Sequence, residues 1–350
     1  MTNFKPIEIQ DKPLFDEFLR KDPPQVSELT FTNLFVWRHH YQPAWVEVDG
    51  CILIVFHPPS QEATVSGPWR NAGVFRPVRR SFSEVGSLGE GGLELRRVSP
   101  HRRCHGLLPV GLHPQKGTVY GLPPFGPGDK RSALEVLCRE IEKQTPEVRI
   151  SRVGEDFVTH HVDPAKYDTI PDRENSDYIY LAKDLIHLSG NKYHRKKNHL
   201  NQFIKNHAFE YRPLDAELVK RVLGMQEAWC RIRECVEKPD LLAEDHAVHE
   251  ALTYFEELGY QGGAILIDSV VEAFSLGEPL NQDTAVIHIE KANPDILGLY
   301  AAVNQLFCIN AWSGVTYINR EQDMGVEGLR KAKESYYPHH MVNKYTLIPK

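Results

Sequence analysis

Apolar positions along the first sixty residues change period twice. Leu14, Phe15, Phe18 and Leu19 recur at helical spacing behind Asp11 and Pro13, which predicts a helix with Asp11 as its N-cap and Pro13 in its first turn. A β-prone run over 4–9 precedes it, and the aromatic-rich segment 27–38 reads as core packing. The run 45–56 then folds back around Asp49-Gly50, a pair that supplies the positive backbone angles of a tight hairpin. Farther on, Ala133, Leu134, Leu137, Cys138 and Ile141 mark one face of a helix over 130–142. Strands are predicted at 148–153 and 178–182, separated by an irregular stretch bearing Pro164 and Pro171. The second half begins with a helix over 188–206 whose apolar face is sparse: Tyr193, Leu200, Phe203 and Ile204. Helices over 215–234 and 244–258 lead into three consecutive strands, 263–268, 270–277 and 284–291, joined by turns at Asp268-Ser269 and 277–283. A helix over 296–311, a strand over 315–318 and a last helix stopped by Pro338 complete the pattern. The alternation predicts an α/β chain with a boundary in the polar segment 165–176.

One segment has neither period. Residues 66–119 hold eight Arg, one Lys, three Glu, no Asp and fourteen Gly plus Pro in 54 positions. Thr64-Val65 before it and Thr118-Val119 near its end give it the look of spliced-in text, so it reads as an irregular insertion in the first domain. An Arg-rich arm for RNA or anionic lipid is the functional alternative.

Composition narrows the function classes. At 350 residues, 41% hydrophobic and 25% charged, the chain has the make-up of a globular protein with room for two domains. A net charge of −6 confines any polyanion contact to a local patch. The clearest patch is the remainder of the 188–206 helix: Lys192, Arg195, Lys196, Lys197 and Lys205, with His194 and His199. No apolar run reaches the length of a membrane span and no leader pattern opens the chain, so a cytoplasmic location is expected. Six cysteines without metal-ligand spacing read as free thiols. The paired histidines His39-His40, His160-His161 and His339-His340 diverge on regular backbone and chelate poorly, and His246 with His249 lacks a third ligand. No metal is expected.

The candidate chemistry lies in the stretch 317–338. Glu321, Asp323 and Glu327 are followed within a few residues by Arg330, Lys331 and Lys333, the residue types that hold an anion and move a proton. The sequence of 329–338, Leu-Arg-Lys-Ala-Lys-Glu-Ser-Tyr-Tyr-Pro, resembles the closing Leu-Arg-x-x-Lys-x-x-x-x-Pro motif of the phosphatidylglycerol lysyltransferase C-terminal-domain family, relatives of the GNAT acyltransferases. Arg195, Lys196 and Asn198 match that family's basic helix, and the likeness is densest over 172–206 and 262–346. It implies two tandem GNAT-like domains with mixed central sheets flanked by helices, 1–172 and 173–350, the second carrying the active groove. Two departures stand out. The family's flippase-like membrane half is absent from this sequence. Where Asp-x-x-Arg is expected on the strand facing the substrate, this chain has His288-Ile-Glu-Lys291, which puts lysine as the transferred group in doubt.

The resemblance implies aminoacyl or acyl transfer to a hydroxyl or amine, such as a lipid head group. Asp323 or Glu321 is the expected base, Arg330 or Lys333 the expected oxyanion donor, and Glu290, Lys291, Arg195, Lys196, Asn198 and Asn319 the expected substrate contacts. Aminoacyl-tRNA is the expected donor, with tRNA and an anionic lipid head group as partners and no resident cofactor. Acyl-CoA ranks second, because the junction 291–300 offers Gly298 alone where a pyrophosphate turn is glycine-rich. A GNAT-fold binding module without catalysis is the competing class. Limited proteolysis is expected to cut first within 66–119; resistance throughout that segment would rule out an irregular insertion.

Overall fold

A computed structural model describes residues 3–58, 118–233 and 239–350. All but the last two residues of the segment 66–119 lie outside that set, so the insertion reading does too. The chain forms two mixed sheets flanked by helices. The strands in chain order are β1 (Lys5–Pro6), β2 (Pro43–Val48), β3 (Cys51–Phe56), β4 (Tyr120–Gly121), β5 (Ile150–Gly154), β6 (Tyr167–Pro171), β7 (Asp177–Leu181), β8 (Phe209–Pro213), β9 (Gln261–Ile267), β10 (Val270–Pro279), β11 (Thr284–Ala292), β12 (Tyr317–Asn319), β13 (His340–Val342) and β14 (Lys344–Pro349). The first sheet runs β1-β2-β3-β4-β5-β14-β6 and the second β13-β7-β12-β11-β10-β9-β8.

Each sheet holds one parallel pair bridged by a helix. In the first, β4 and β5 are joined through the helix Lys130–Glu142. In the second, β11 and β12 are joined through the helix Leu299–Ala311. An antiparallel run leads into each parallel pair, β2-β3-β4 in one sheet and β8-β9-β10-β11 in the other. The chain is thus an α/β protein of two GNAT-like units in tandem. The hairpin between β2 and β3 turns on Asp49 and Gly50 at φ 49° and 78°, as their residue types demand.

Packing makes the two units one body. Phe15, Phe31 and Phe35 from the first half share a core with Leu218, Val248 and Phe274 from the second. Phe35 meets Tyr254 edge-on with ring centroids 5.0 Å apart, and Arg38 pairs with Glu250 at 2.6 Å. The outer face of the first sheet packs Leu53 and Ile150 against Leu134 and Leu137 of its crossover helix. The outer face of the second packs Ile287 and Ile318 against Leu200 and Phe203 of the basic helix His194–Asn206 and against Val303 of the helix Leu299–Ala311.

β4, β6, β8, β13 and β14 go beyond the predicted elements. The consequential one is β14, which leaves the second sheet and inserts between β5 and β6 of the first. Lys344 begins it and is fully buried, with Nζ 2.5 Å from Glu28 Oε2 and 2.6 Å from Asp177 Oδ1. Asp177 also accepts Ser27 N and Asn319 Nδ2, both at 2.9 Å, and Arg152 on β5 reaches Asp172 at 2.8 Å. The cluster ties both sheets to the segment that enters the first helical layer. Removing one member of a buried ion network strands the others. Lys344→Met is therefore expected to destabilise the protein by about 3–5 kcal/mol, read as a lower urea midpoint. An unchanged midpoint would show that the network is not what holds β14 in place.

Candidate functional site

β11 and β12 pair only from Thr284↔Tyr317 to Val286↔Asn319. Beyond that, β11 stays with β10, while the chain after β12 stays with β7 through Arg320 N to Tyr178 O. The two strands part like a V. A cavity of about 590 Å³ opens at the V, roofed by the basic helix, by the turn before the helix Leu299–Ala311, and by the helix Glu327–Glu334 with the residues after it. A second cavity of about 300 Å³ lies on the first sheet beside Tyr120 and Arg152. The larger one carries the motif residues.

Its floor is Arg320 and Glu290. Arg320 is 4% exposed and donates from Nη2 to Glu290 Oε1 at 2.9 Å, while Asn304 donates to Glu290 Oε2 at 2.9 Å. The guanidinium lies 4.8 Å from the Tyr336 ring and 5.6 Å from that of Tyr180. Its Nε and Nη1 have no hydrogen-bond partner among the described residues. A buried donor left unmade costs about 1–3 kcal/mol, so the floor is built to receive oxygen atoms.

Lys196 stands on the wall with Nζ 4.0 Å over the Tyr336 ring. Burial, then the nearby Arg320 and Arg195, hold its ammonium down to about 8. Lys333 is 2% exposed and donates to the backbone carbonyls of Arg320 and Glu321. Burial, then Arg320, bring it down to about 7. Arg195, Lys192 and Lys331 are exposed at the rim. Gly298 is in the left-handed region at φ +87°, and any side chain there would collide with the backbone oxygen of His199. That glycine lets the basic helix close over the helix that follows β11, a packing role rather than a loop-opening one.

The sheet's own alternation sorts the remaining sequence candidates. Glu290 lines the cavity, and Lys291, its neighbour, points through to the opposite face and pairs with Glu244. Arg320 lines the cavity, whereas Asn319 and Glu321 face away: Asn319 reaches Asp177, and Glu321 reaches His288 Nδ1 at 2.6 Å. His288 is the unpaired residue of a β-bulge, since Leu276 opposes Ile289 and Gly277 opposes Ile287. The bulge aims the imidazole away from the cavity, between Glu321 and Glu278 at 2.8 Å. Burial alone would depress the imidazolium, but the hydrogen bonds to Glu278 and Glu321 overcome it and lift it to about 10. Burial raises Glu321 against the pull of His288.

Asp323 is fully buried. It accepts Arg330 Nε at 2.8 Å and Nη2 at 2.9 Å, Arg173 Nη1 at 3.1 Å, Tyr178 Oη at 2.6 Å and Gly325 N at 2.9 Å. Against the effect of burial, Arg330, Tyr178 and Gly325 hold its carboxyl at about 2. Asp323 and Arg330 lock each other and fix the turn through Glu321, Met324 and Gly325, all at positive φ. Asn198 is exposed and bonds His194 at 3.4 Å, outside the cavity. Of the sequence candidates, then, Glu290, Arg195, Lys196 and Lys333 come together, while Asp323, Glu321, Arg330, Lys291, Asn198 and Asn319 stand apart from the cavity. Arg320 and Tyr336 belong to the site and were missed. Both lie in the quoted stretch, and period-two alternation around Asn319 and Glu321 was the available signal for Arg320.

Comparison with known proteins bears on the family and the fold. The model of the family described as phosphatidylglycerol lysyltransferase, C-terminal, matches residues 113–348, more than half of the chain. Among solved structures, a conserved protein of unknown function from Bacteroides thetaiotaomicron is 27% identical with a TM-score of 0.77, and the match covers 100% of both chains. Fainter likenesses run to L-PGS from Bacillus licheniformis (14% identity, 66% of this chain and 77% of that one, TM-score 0.48). A tandem GNAT protein from the clavulanic acid biosynthesis pathway shows 7% identity over 99% and 98%, with a TM-score of 0.45. No curated protein matches the chain.

A carboxylate whose pKa lies below its unfolded value stabilises the fold above the unfolded pKa, and that contribution is lost as pH falls toward the folded one. Asp323→Asn is therefore expected to lower the melting temperature at pH 7, and the gap from wild type to narrow between pH 4 and pH 2. A gap independent of pH would show that Asp323 acts through shape and not charge.

Proposed function

The chain belongs to the phosphatidylglycerol lysyltransferase C-terminal family, and from that premise we propose that it transfers an aminoacyl or acyl group within the V-shaped cavity of its second unit. The supporting observation is a pair of amines, half-buried Lys196 and buried Lys333, held down to about 8 and about 7 at a cavity with a cationic rim. The acyltransferase-like character follows from family and fold; donor and acceptor are our reading. No helix among the described residues is long and apolar enough to cross a membrane.

In this reading the donor is an aminoacyl-tRNA and the acceptor a hydroxyl or amine, such as a lipid head group. Arg195 at the rim meets the donor's phosphates with Lys192 and Lys331. The acceptor oxygen or nitrogen attacks the donor carbonyl carbon and gives its proton to neutral Lys196. The tetrahedral intermediate collapses, the bond to the carrier oxygen breaks, and the Lys196 ammonium protonates the leaving hydroxyl. Lys333 acts from behind by holding the carbonyls of Arg320 and Glu321. Acyl-CoA is the weaker donor, because the Gly298 turn is packed against His199. A non-catalytic binding module is the second reading. It is favoured by the engagement of Asp323 and Glu321, the two acids expected to act as the base, in pairs outside the cavity.

Titration with charged tRNA and with acetyl-CoA at two salt concentrations separates these readings. Saturable binding of charged tRNA, weakened by salt and by Lys196→Ala, is expected. Turnover should rise with pH through about 8 and fall about 10²–10⁴-fold in Lys196→Ala. Tight acetyl-CoA binding would overturn the donor assignment; ligand binding without turnover on any acceptor would favour the binding module.

A further inference from the structure

Resting on the transferase reading, we propose that Arg320 recognises a carboxylate carried by the transferred group, so that the cavity takes an acidic acyl or aminoacyl moiety rather than a cationic one. The argument is one of charge and depth. Arg320 is the buried cation of the floor, and two of its nitrogens, Nε and Nη1, have no hydrogen-bond partner among the described residues. Leaving such donors unmade is costly, and a carboxylate oxygen is the strongest acceptor for a guanidinium.

Glu290 is the acid lining the cavity among the described residues, and it is already occupied. One of its oxygens accepts Arg320 and the other accepts Asn304. A cationic group entering the cavity would meet Arg320, Lys196, Lys333 and the rim cations with no carboxylate left to receive it. The amines agree with this: burial first, and then the charge of Arg320, lower both Lys196 and Lys333, so the cavity already disfavours a further cation.

Depth separates the transferred group from the carrier. The donor's phosphates are bulky and hydrated, and Arg195, Lys192 and Lys331 offer them exposed charge at the rim. At the floor the planar guanidinium of Arg320 is flanked by the rings of Tyr180 and Tyr336, away from the rim that would meet the phosphates.

Direct binding tests this without turnover. The purified full chain is titrated calorimetrically with the α-amides of L-glutamate and L-lysine, which keep the side chain and mimic the ester carbonyl. The glutamate amide is expected to bind at least about tenfold more tightly. The preference should vanish in Arg320→Gln combined with Glu290→Gln, a pair that leaves no buried charge unpaired, and should survive in part in Arg320→Lys. Thermal melts confirm that each variant folds. Equal binding, preference for the lysine amide, or no binding of either overturns the proposal. Inorganic pyrophosphate that displaces the glutamate amide, and whose own affinity needs Arg320, would assign the floor to the carrier and also overturn it. Selective glutamate amide binding in a chain that transfers nothing would support the recognition and remove the transferase reading alone.

Discussion

A lysine ammonium with no access to water is tolerable only where fixed anions replace its hydration. Lys344 is such a group, and its anions come from opposite parts of the molecule: Glu28 from the segment before the first buried helix, Asp177 from the start of β7. Asp177 in turn holds Asn319 at the end of β12, where the V begins. The strand that must deliver Lys344 is thereby drawn out of the second sheet and into the first. What looks like a tandem of two units is bound through one shared charge centre, and the geometry of the cavity inherits that constraint through Asn319 and Arg320.

Backbone irregularity converts this frame into chemistry. The bulge at His288 advances β11 by one residue, so that Ile289 faces the shared core and Glu290 the cavity. Regular alternation through His288, with no bulge, would turn Lys291 to the cavity face and Glu290 away from it. The turn after Arg320 is equally constrained. Glu321 and Met324 adopt left-handed backbone, a conformation costing about 1–3 kcal/mol in a non-glycine residue. The surrounding Asp323–Arg330 and Lys333–carbonyl contacts over-determine it. Acids and bases that resemble catalytic groups in one dimension serve here to hold a backbone shape, and the cavity is lined by residues between and beside them.

Much of the fold was legible because local signals and tertiary packing agree. Asp49-Gly50 forced a hairpin, the stripe from Ala133 to Ile141 forced a helix, and the meander from β9 to β11 announced itself by apolar runs and polar turns. The exchange of β14 was not legible, since 344–349 is short, ends in proline and gives no sign of which sheet will accept it. The stretch that the resemblance singled out supplies Arg320, Lys333 and Tyr336 to the cavity, while its acids Glu321 and Asp323 face elsewhere. Consecutive strand residues point to opposite sides, so Glu290 with Lys291, or Arg320 with Glu321, could never share one cavity. Reading the motif as a list of charges hid Arg320 between two better-known acids. The bulge at His288 was beyond reach, because a single unpaired residue leaves no compositional trace.

The placement of β14 also sets an order of events during synthesis. The first sheet has its β5 and β6 edges separated by a strand's width until residues 344–349 arrive, more than 170 residues later in the chain. Until then Glu28 and Asp177 lack their shared cation. A ribosome-bound chain lacking those residues carries an unfinished sheet with open edges, the state in which strands pair with the wrong partner. Completion of the first sheet thus waits for a strand made after the whole of the second unit, and its β5 and β6 edges stay open until residues 344–349 are in place.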